Sequence, residues 1–280
     1  MNRPAAVAGT WYPKNPGALA REVDALLDVA GAASRGRVQG IIAPHAGMMF
    51  SGPVGAYAYK AAAGGDYDVI VLVGPSHYVP FEGVALYPGG AFETPLGIAP
   101  IDEQGAAAIA ASPIVQSLPS VHGREHSLEM QLPFVRRLFP DTPIVPLLMG
   151  RQTRRTIEEL ATALVDAFRD RRALIVASTD LSHYLDAKTA AALDGRVQEC
   201  VSAFAPDRLL QLFEEYPEHE RGRYVACGGG PAISVMLAAR TLGATESRVL
   251  RYAHSGEVSG DYGAVVGYLA AAMGTFTDAQ

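Results

Sequence analysis

Short runs of consecutive apolar residues recur along the chain and predict strands that are buried inside a sheet. Residues 69–73, VIVLV, are all apolar and rich in β-branched types, and Gly74 and Pro75 close the run. This composition is typical of a parallel strand that is buried on both faces. Further strands are predicted at residues 38–43, 144–149, 173–177, 249–253 and 264–269.

Apolar residues spaced three or four positions apart predict helices between these strands. Asn15 and Pro16 are a typical N-cap and first helical residue, and the stripe that follows predicts a helix ending near Gly31. Residues 156–159, TIEE, form a capping box that starts another helix, and Pro133 predicts a kink or early break in a third. The helix that contains Pro133 is predicted at residues 128–139. The other helices are predicted at residues 52–63, 102–111, 188–204, 206–213 and from the glycine run at 228–230 to residue 242.

The alternation of strands and helices predicts one α/β domain over residues 1–280, with a central, mostly parallel sheet flanked by helices. Residues 83–97 predict a hairpin beside this sheet, and residues 214–223, which include His219, predict a solvated loop. Trp11, within the motif GTWYP, is interpreted as a packing residue that pins the terminal segment.

Composition and charge narrow the classes of function. The chain of 280 residues has 23 basic and 29 acidic residues, mixed along the sequence, with a formal charge of −6. No basic face for nucleic acid is indicated. The two cysteines are too few for a disulfide framework, and no signal peptide or membrane-spanning stretch is indicated. We therefore expect a cytoplasmic protein that binds neither nucleic acid nor membrane.

Three histidines follow predicted strands by one to six residues: His45, His77 and His183. Because the carboxyl ends of neighbouring parallel strands share one edge of a sheet, these imidazoles are expected to meet in one cleft. Imidazole is a common metal ligand and also titrates near neutral pH, so the set predicts metal ligands and a general base.

Cys227 is a fourth candidate because it precedes three glycines and a proline at a predicted helix N-terminus, where a thiolate is favoured. It is either a soft metal ligand or a small buried residue in a tight turn. The glycine run lacks the spacing of known phosphate-binding fingerprints.

Residues 121–129, VHGREHSLE, are dense in ionisable groups. His122 and His126 do not form a zinc-protease pattern, so the segment predicts supporting roles: Glu125 or Glu129 accepts a hydrogen bond from a ligand imidazole, and His126 lies near the substrate. Asp180, three residues before His183, is expected to orient that imidazole. Ser178 and Ser182 lie outside a GxSxG nucleophile motif.

Taken in chain order, six motifs together resemble the Memo family, which is also known as the AmmeMemoRadiSam system protein B family. The motifs are GTWYP at 9–13, APHAG at 43–47, GPSHY at 74–78, EHSLEMQLPF at 125–134, STDLSHY at 178–184 and CGGGP at 227–231.

That family is similar in fold to class III extradiol dioxygenases, whose iron is held by two histidines and a glutamate. The resemblance implies that His45, His77 and Cys227 are metal ligands, that His183 is an acid/base histidine, and that His126 is a further pocket residue. It also implies association with a radical-SAM protein and a further companion protein.

Iron(II) is the metal that the resemblance implies first. A thiolate in place of the dioxygenase carboxylate makes copper or zinc an alternative. The expected function is a mononuclear iron or copper oxidoreductase acting on a small, phenolic substrate.

Two alternatives stay open at this point. The same pocket could be a non-catalytic module that binds metal or a peptide, or Cys227 could be the nucleophile of a transferase or hydrolase with His183 as its base.

Overall fold

A computed structural model describes residues 2–31 and 36–277. Three short 3-10 turns lie at Pro119–His122, Glu129–Gln131 and Glu218–Glu220. The strands are β1 Asn2–Arg3, β2 Gly36–Ala43, β3 Val69–Pro75, β4 Val84–Leu86, β5 Ala91–Thr94, β6 Gly97–Pro100, β7 Val115–Ser117, β8 Ile144–Met149, β9 Ala173–Ser178, β10 His183–Leu185, β11 Glu246–His254 and β12 Val265–Phe276. The helices are α1 Pro16–Val29, α2 Met48–Ala62, α3 Glu103–Ile109, α4 Leu132–Leu138, α5 Arg154–Phe168, α6 Ala187–Ser202, α7 Pro206–Glu214, α8 Arg221–Tyr224, α9 Gly229–Thr241 and α10 Gly256–Ser259.

The main sheet has the strand order β10-β12-β2-β9-β3-β8-β4-β7, and β11 pairs with β12. Its four central strands, β2, β9, β3 and β8, are parallel to one another. The strands β3, β8 and β9 are buried along their whole length, as their apolar sequences predict. These four strands form the core of the domain.

The prediction of a mostly parallel sheet is wrong outside this centre, and the sheet is mixed. On one side β12 runs antiparallel to β2, to β10 and to β11. On the other side β4 runs antiparallel to β8 and parallel to β7. Strand direction depends on the connection between strands rather than on the residues of a strand, so the apolar runs alone did not reveal it.

Helices flank the mixed sheet and complete a single α/β domain. Helix α2 packs on β2 and β12, while α9 packs on β2, β3 and β9. The hairpin prediction is partly correct: residues 84–86 form β4 of the main sheet, while β5 and β6 form a hairpin in a separate three-stranded sheet in which β5 also pairs with β1. No helix in the described part of the chain is long and apolar enough to cross a membrane.

Two helix starts differ from the sequence prediction. Pro133 does not kink a helix, because the helix α4 begins at Leu132 and Pro133 lies in its first turn, where its missing N–H is tolerated. The capping box at 156–159 does not start α5, because the hydroxyl of Thr153 accepts from the backbone N–H of Thr156 and caps the helix there. Within the predicted loop at 214–223, His219 is exposed as expected, although part of the loop is the short helix α8.

Candidate metal centre

The register of the central strands brings two of the predicted histidines together. In the pairing of β2 with β9, Ala43 lies opposite Ser178, and in the pairing of β3 with β9, Val73 lies opposite Ala177. His45 follows β2 by two residues and His77 follows β3 by two residues. Because the strands end at the same level, both imidazoles lie at the carboxyl edge of the sheet.

His45, His77 and Cys227 form a cluster at this edge. Their potential ligand atoms all lie within 4.8 Å of one another. The Sγ of Cys227 is 3.3 Å from Nε2 of His45, and the ring centroids of His45 and His77 are 5.1 Å apart. His45 is 2% exposed, whereas 27% of the His77 side chain is exposed, so the cluster is open to solvent on the His77 side.

Hydrogen bonds define which nitrogen of His45 faces the cluster. Its Nδ1 lies 2.9 Å from Oγ of Ser178, and that hydroxyl donates its only hydrogen to the carbonyl of Ser127 at 2.6 Å. The hydroxyl therefore accepts from Nδ1–H, which leaves the lone pair of Nε2 directed toward Cys227. The backbone N–H of His45 also donates to Oδ1 of Asp180 at 2.7 Å.

Glu125 plays the corresponding role for His77, as one of the two predicted alternatives proposed. Its carboxylate accepts from the backbone N–H of His77 at 2.6 Å and from Nδ1 at 2.9 Å. The same carboxylate accepts from the backbone N–H groups of His126 and Ser127, both at 2.9 Å. Four N–H donors therefore converge on this carboxylate, and its bond to Nδ1 of His77 leaves Nε2 of that imidazole facing the cluster.

Cys227 is held by the loop that follows β9. Its backbone N–H donates to the carbonyl of Asp180 at 3.2 Å, and its Sγ accepts from the backbone N–H of Asp180 at 3.4 Å. The two loops approach so closely at Gly228 that a Cβ atom there would lie 2.4 Å from the carbonyl oxygen of Ser178. Glycine at 228 is therefore required for this contact.

The glycine run does not provide an anion site. Gly228 donates its backbone N–H to Oγ1 of Thr179 at 2.9 Å, Gly229 donates to the carbonyl of Ala226 at 3.3 Å, and Gly230 donates to Oε1 of Gln152 at 2.8 Å. With these groups occupied, the start of α9 offers no free donors for a phosphate or for the oxyanion of a cysteine hydrolase. The structural role of the run is to hold Cys227 in place.

Burial and neighbouring charges change the pKa values of the side chains in and around the cluster. Burial holds the pKa of His45 well below its usual value, and the neighbouring imidazoles of His77 and His126 lower it further. Burial alone would raise the pKa of Glu125, but its hydrogen bonds and charge interaction with His77 outweigh burial and lower this pKa to about 2. Burial lowers the pKa of His77, yet Cys227 and Glu125 outweigh it and raise this pKa to about 10. The surroundings of His77 therefore favour a positive charge at this position.

His183 is near the cluster, but Asp180 does not orient it in the way that the sequence suggested. The Nδ1 of His183 donates to the carbonyl of Leu181 at 2.7 Å, which leaves its Nε2 free. Asp180 is instead directed at the backbone of His45, and burial raises its pKa. The charge of His183 influences the pKa values of both His45 and Asp180, so the ring is within electrostatic reach of the cluster.

Tyr184, the residue after His183, has a φ of +58° and an exposed ring. A left-handed backbone at a non-glycine residue is strained, and such residues concentrate at functional sites.

His126 lies against the open side of the cluster. Its ring stacks on that of His77 with centroids 4.6 Å apart, and its Nδ1 is 3.3 Å from the hydroxyl of Tyr78. Burial lowers the pKa of His126 to about 4, and the charge of His77 contributes in the same direction. Trp11 is a packing residue, as predicted, and its ring centroid is 4.3 Å from that of His126.

Glu129, the other predicted partner of a ligand imidazole, has a different role. Its carboxylate accepts from Arg3 at 2.7 Å and from the hydroxyl of Tyr12 at 2.7 Å, so it anchors the N-terminal segment. Sequence reasoning also missed Ser178 as the partner of His45, and Gln131, whose amide donates to Ser178 at 2.8 Å. Ser178 directly follows the predicted strand at 173–177, and His45 follows the predicted strand at 38–43. These matching positions could have indicated that the two side chains meet.

The donor set fits a transition metal. Two imidazoles and a thiolate are ligands that suit zinc, copper and iron, and each imidazole donates its Nδ1–H to a second group, as metal-bound histidines do. The fold and this cluster define a mixed α/β protein with a candidate metal site at the carboxyl edge of its sheet.

Comparison with known proteins identifies the family of the chain. The family of Memo-like proteins matches residues 3–272, and the chain belongs to the Memo family. A MEMO1 family protein of Methanothermobacter thermautotrophicus is 37% identical over 279 residues, which are 96% of this chain and 99% of that protein. Another, of Methanopyrus kandleri, is 35% identical over 283 residues, with 96% and 98% of the two chains covered.

A solved structure shows the same fold at low sequence identity. The crystal structure of an uncharacterized protein of Escherichia coli K12 aligns with a TM-score of 0.59 and 15% identity. The alignment covers 85% of this chain and 100% of that chain. This similarity concerns the fold alone.

Proposed function

We propose that this protein is a mononuclear metal-dependent oxidoreductase whose iron or copper ion is held by His45, His77 and Cys227. The observation that carries the proposal is the convergence of three ligand atoms within 4.8 Å of one another. Both histidines also have their Nδ1 atoms committed elsewhere, to Ser178 and to Glu125. Such outer partners fix the orientation of ligand imidazoles and strengthen them as donors.

A redox-active metal at this position would supply electron transfer and the activation of O₂. The protein side chains would hold the ion in position and limit the access of substrate to it. His45 is fixed inside the fold, while the exposed side of His77 leaves a path for a small substrate. The ring of His126, which is largely neutral at pH 7 because burial lowers its pKa to about 4, forms an uncharged wall beside that path.

His183 is the proposed acid/base group. Its Nδ1–H is committed to the carbonyl of Leu181, so Nε2 is the atom that can take a proton from a substrate hydroxyl or return it. The proposal includes a small phenolic substrate, which is what the resemblance to a family similar to class III extradiol dioxygenases implies. Cys227 in place of a carboxylate ligand makes the electronics different, so the proposal does not extend to ring cleavage.

The metal assignment is tested by metal analysis of protein purified without oxygen. The wild-type protein is expected to hold one iron or copper ion per chain, and Cys227→Ala is expected to lose it. Cys200→Ala is the matched control, because Cys200 is the second cysteine and is buried in α6. Equal metal content in all three proteins would remove Cys227 from the site.

Catalysis is tested separately by oxygen uptake of the metal-loaded protein with a panel of catechols and thiols. Steady turnover that is lost in His183→Ala and retained in His219→Ala supports the oxidoreductase. Metal binding without any turnover would instead indicate the non-catalytic module, acting with its radical-SAM and companion proteins. Alkylation of Cys227 that is unaffected by added metal would favour the cysteine nucleophile, although the occupied N–H groups of the glycine run oppose it.

A further inference from the structure

The N-terminal segment, residues 2–12, holds the loop that carries the carboxylate partner of His77. The Nε of Arg3 donates to the backbone carbonyl of His122 at 2.7 Å, and one terminal nitrogen donates to the backbone carbonyl of Glu125. The guanidinium also lies 4.8 Å above the ring of Phe92. One buried side chain therefore fixes the backbone of Glu125, a residue 122 positions away in the sequence.

Glu129 holds this arginine in place. It bonds to Arg3 at 2.7 Å, and the two side chains are 2% and 0% exposed. The carboxylate also accepts from the backbone N–H groups of Ala6 and Val7 and from the hydroxyl of Tyr12. A buried ion pair whose remaining lone pairs are satisfied in this way is strongly disrupted by the loss of one partner, because an unpaired buried charge is left behind.

The same segment also contacts the loop that carries His45. The carbonyl of Trp11 accepts from the backbone N–H of Met48 at 2.8 Å, three residues after His45. The ring of Trp11 packs against His126 from the other loop. The N-terminal segment thus touches the loop that carries the proposed ligand His45 and the loop that carries Glu125, the partner of His77.

We infer that Arg3 is a positioning residue for His77, which it orients through Glu125. The guanidinium fixes the backbone of Glu125, and the Glu125 carboxylate then fixes both the backbone N–H and Nδ1 of His77. The effect of Arg3 on metal affinity rests on the proposed metal site, whereas its effect on the orientation of His77 does not. Loss of an outer partner of a ligand lowers metal affinity about 10–100-fold, and Arg3 acts one step further out, so about 10-fold is expected.

The test compares Arg3→Ala with Arg171→Ala. Arg171 pairs with Asp102 at the opposite edge of the sheet, and these side chains are also largely buried, at 18% and 11% exposure. Both variants are expected to lower thermal stability, but only Arg3→Ala is expected to weaken metal binding about 10-fold. Arg3→Lys provides a second variant if Arg3→Ala does not fold. It keeps the charge beside Glu129 but cannot bond to both carbonyls, so it should show a smaller loss.

Two further measurements separate positioning from general destabilisation. If Arg3 acts through Glu125, the double variant Arg3→Ala with Glu125→Gln should bind metal no more weakly than Glu125→Gln alone. In metal-free protein labelled with ¹⁵N-histidine, the hydrogen-bonded Nδ1 proton of His77 should be observed in wild type and in Arg171→Ala. It should shift or broaden in Arg3→Ala.

Each outcome decides a different question. An unchanged Nδ1 signal in Arg3→Ala, or an equal disturbance in Arg171→Ala, overturns the inference. If the signal is disturbed only in Arg3→Ala, the positioning role is supported. If the wild-type protein also binds no metal, the positioning role stands and the proposed metal function is overturned.

Discussion

His45 and His77 each follow a central strand by two residues, but His45 is buried whereas part of the His77 side chain is in solvent. The partners of their Nδ1 atoms differ in charge. Ser178 is a neutral hydroxyl within a buried network, whereas Glu125 is a buried carboxylate. A neutral partner fixes a ring without changing its charge. A carboxylate also makes the imidazole a stronger donor to a metal. In the proposed metal site, we therefore expect the His45 side to fix the position of the ion and the His77 side to set the strength of binding.

Removal of either ligand should have the largest effect. His45→Ala and His77→Ala are each expected to lower metal affinity by more than about 100-fold, because even the loss of an outer partner costs about 10–100-fold. His219→Ala, which changes an exposed histidine, should leave affinity unchanged. Competition titration with a chelator measures all three. Near wild-type affinity in His77→Ala would place the metal elsewhere.

Glu125→Gln tests the charged support of His77. Glutamine keeps the shape of the side chain but removes its negative charge, so metal affinity should fall about 10–100-fold while the fold is retained. Glu158→Gln, at an exposed position on α5, is the control. The same titration is used, and an affinity equal to that of the control would show that the charge of Glu125 does not act on the site.

Ser178→Ala tests the neutral support of His45. The substitution leaves Nδ1 of His45, the amide of Gln131 and the carbonyl of Ser127 without this shared partner in a buried region. The free energy of unfolding should fall by about 1–3 kcal/mol. Chemical denaturation measures it, with the exposed Ser259→Ala as control. If the loss of metal affinity exceeded that of Glu125→Gln, the proposed division between the two sides would be wrong.

His122 shows what burial does to a histidine outside the cluster. Burial lowers its pKa to about 3 from the usual value of about 6.5, despite the hydrogen bond from its Nε2 to the carbonyl of Ala85. Between these two pH values the unfolded chain binds a proton that the folded chain does not. Stability should therefore fall by about 1.4 kcal/mol per pH unit as the pH decreases, from this group alone.

The substitution His122→Gln isolates this contribution. Glutamine can still donate to the carbonyl of Ala85 but does not titrate, so the decline of stability below pH 6.5 should be less steep than in wild type. Denaturation curves between pH 6.5 and 4.5 provide the measurement. Parallel declines in the two proteins would mean that His122 is protonated in the folded state.

Local sequence signals predicted the parts of the site that follow directly from a strand. The apolar run before His77 and the run before His45 identified two central strands, and both histidines lie at their carboxyl ends as expected. The position of Cys227 before a glycine run identified the start of α9. These predictions succeeded because each depends on residues that are close together in the sequence.

Contacts over long separations were not predictable in the same way. Arg3 and Glu129 lie 126 positions apart, and the sequence does not indicate that Glu129 would bind an arginine while Glu125 binds an imidazole. The two carboxylates are only four residues apart, and their partners depend on where the N-terminal segment packs. The direction of β12 was hidden for the same reason.

The three proposed ligands are widely spaced along the chain, with 182 positions between His45 and Cys227. A metal ion that binds all three would therefore act as a reversible cross-link between distant parts of the polypeptide. Because the unfolded chain does not present these atoms together, binding stabilises the folded state by mass action, by about 2.7 kcal/mol at a free metal concentration 100 times the Kd. The lifetime of the folded protein against proteolysis would then report the supply of metal around it.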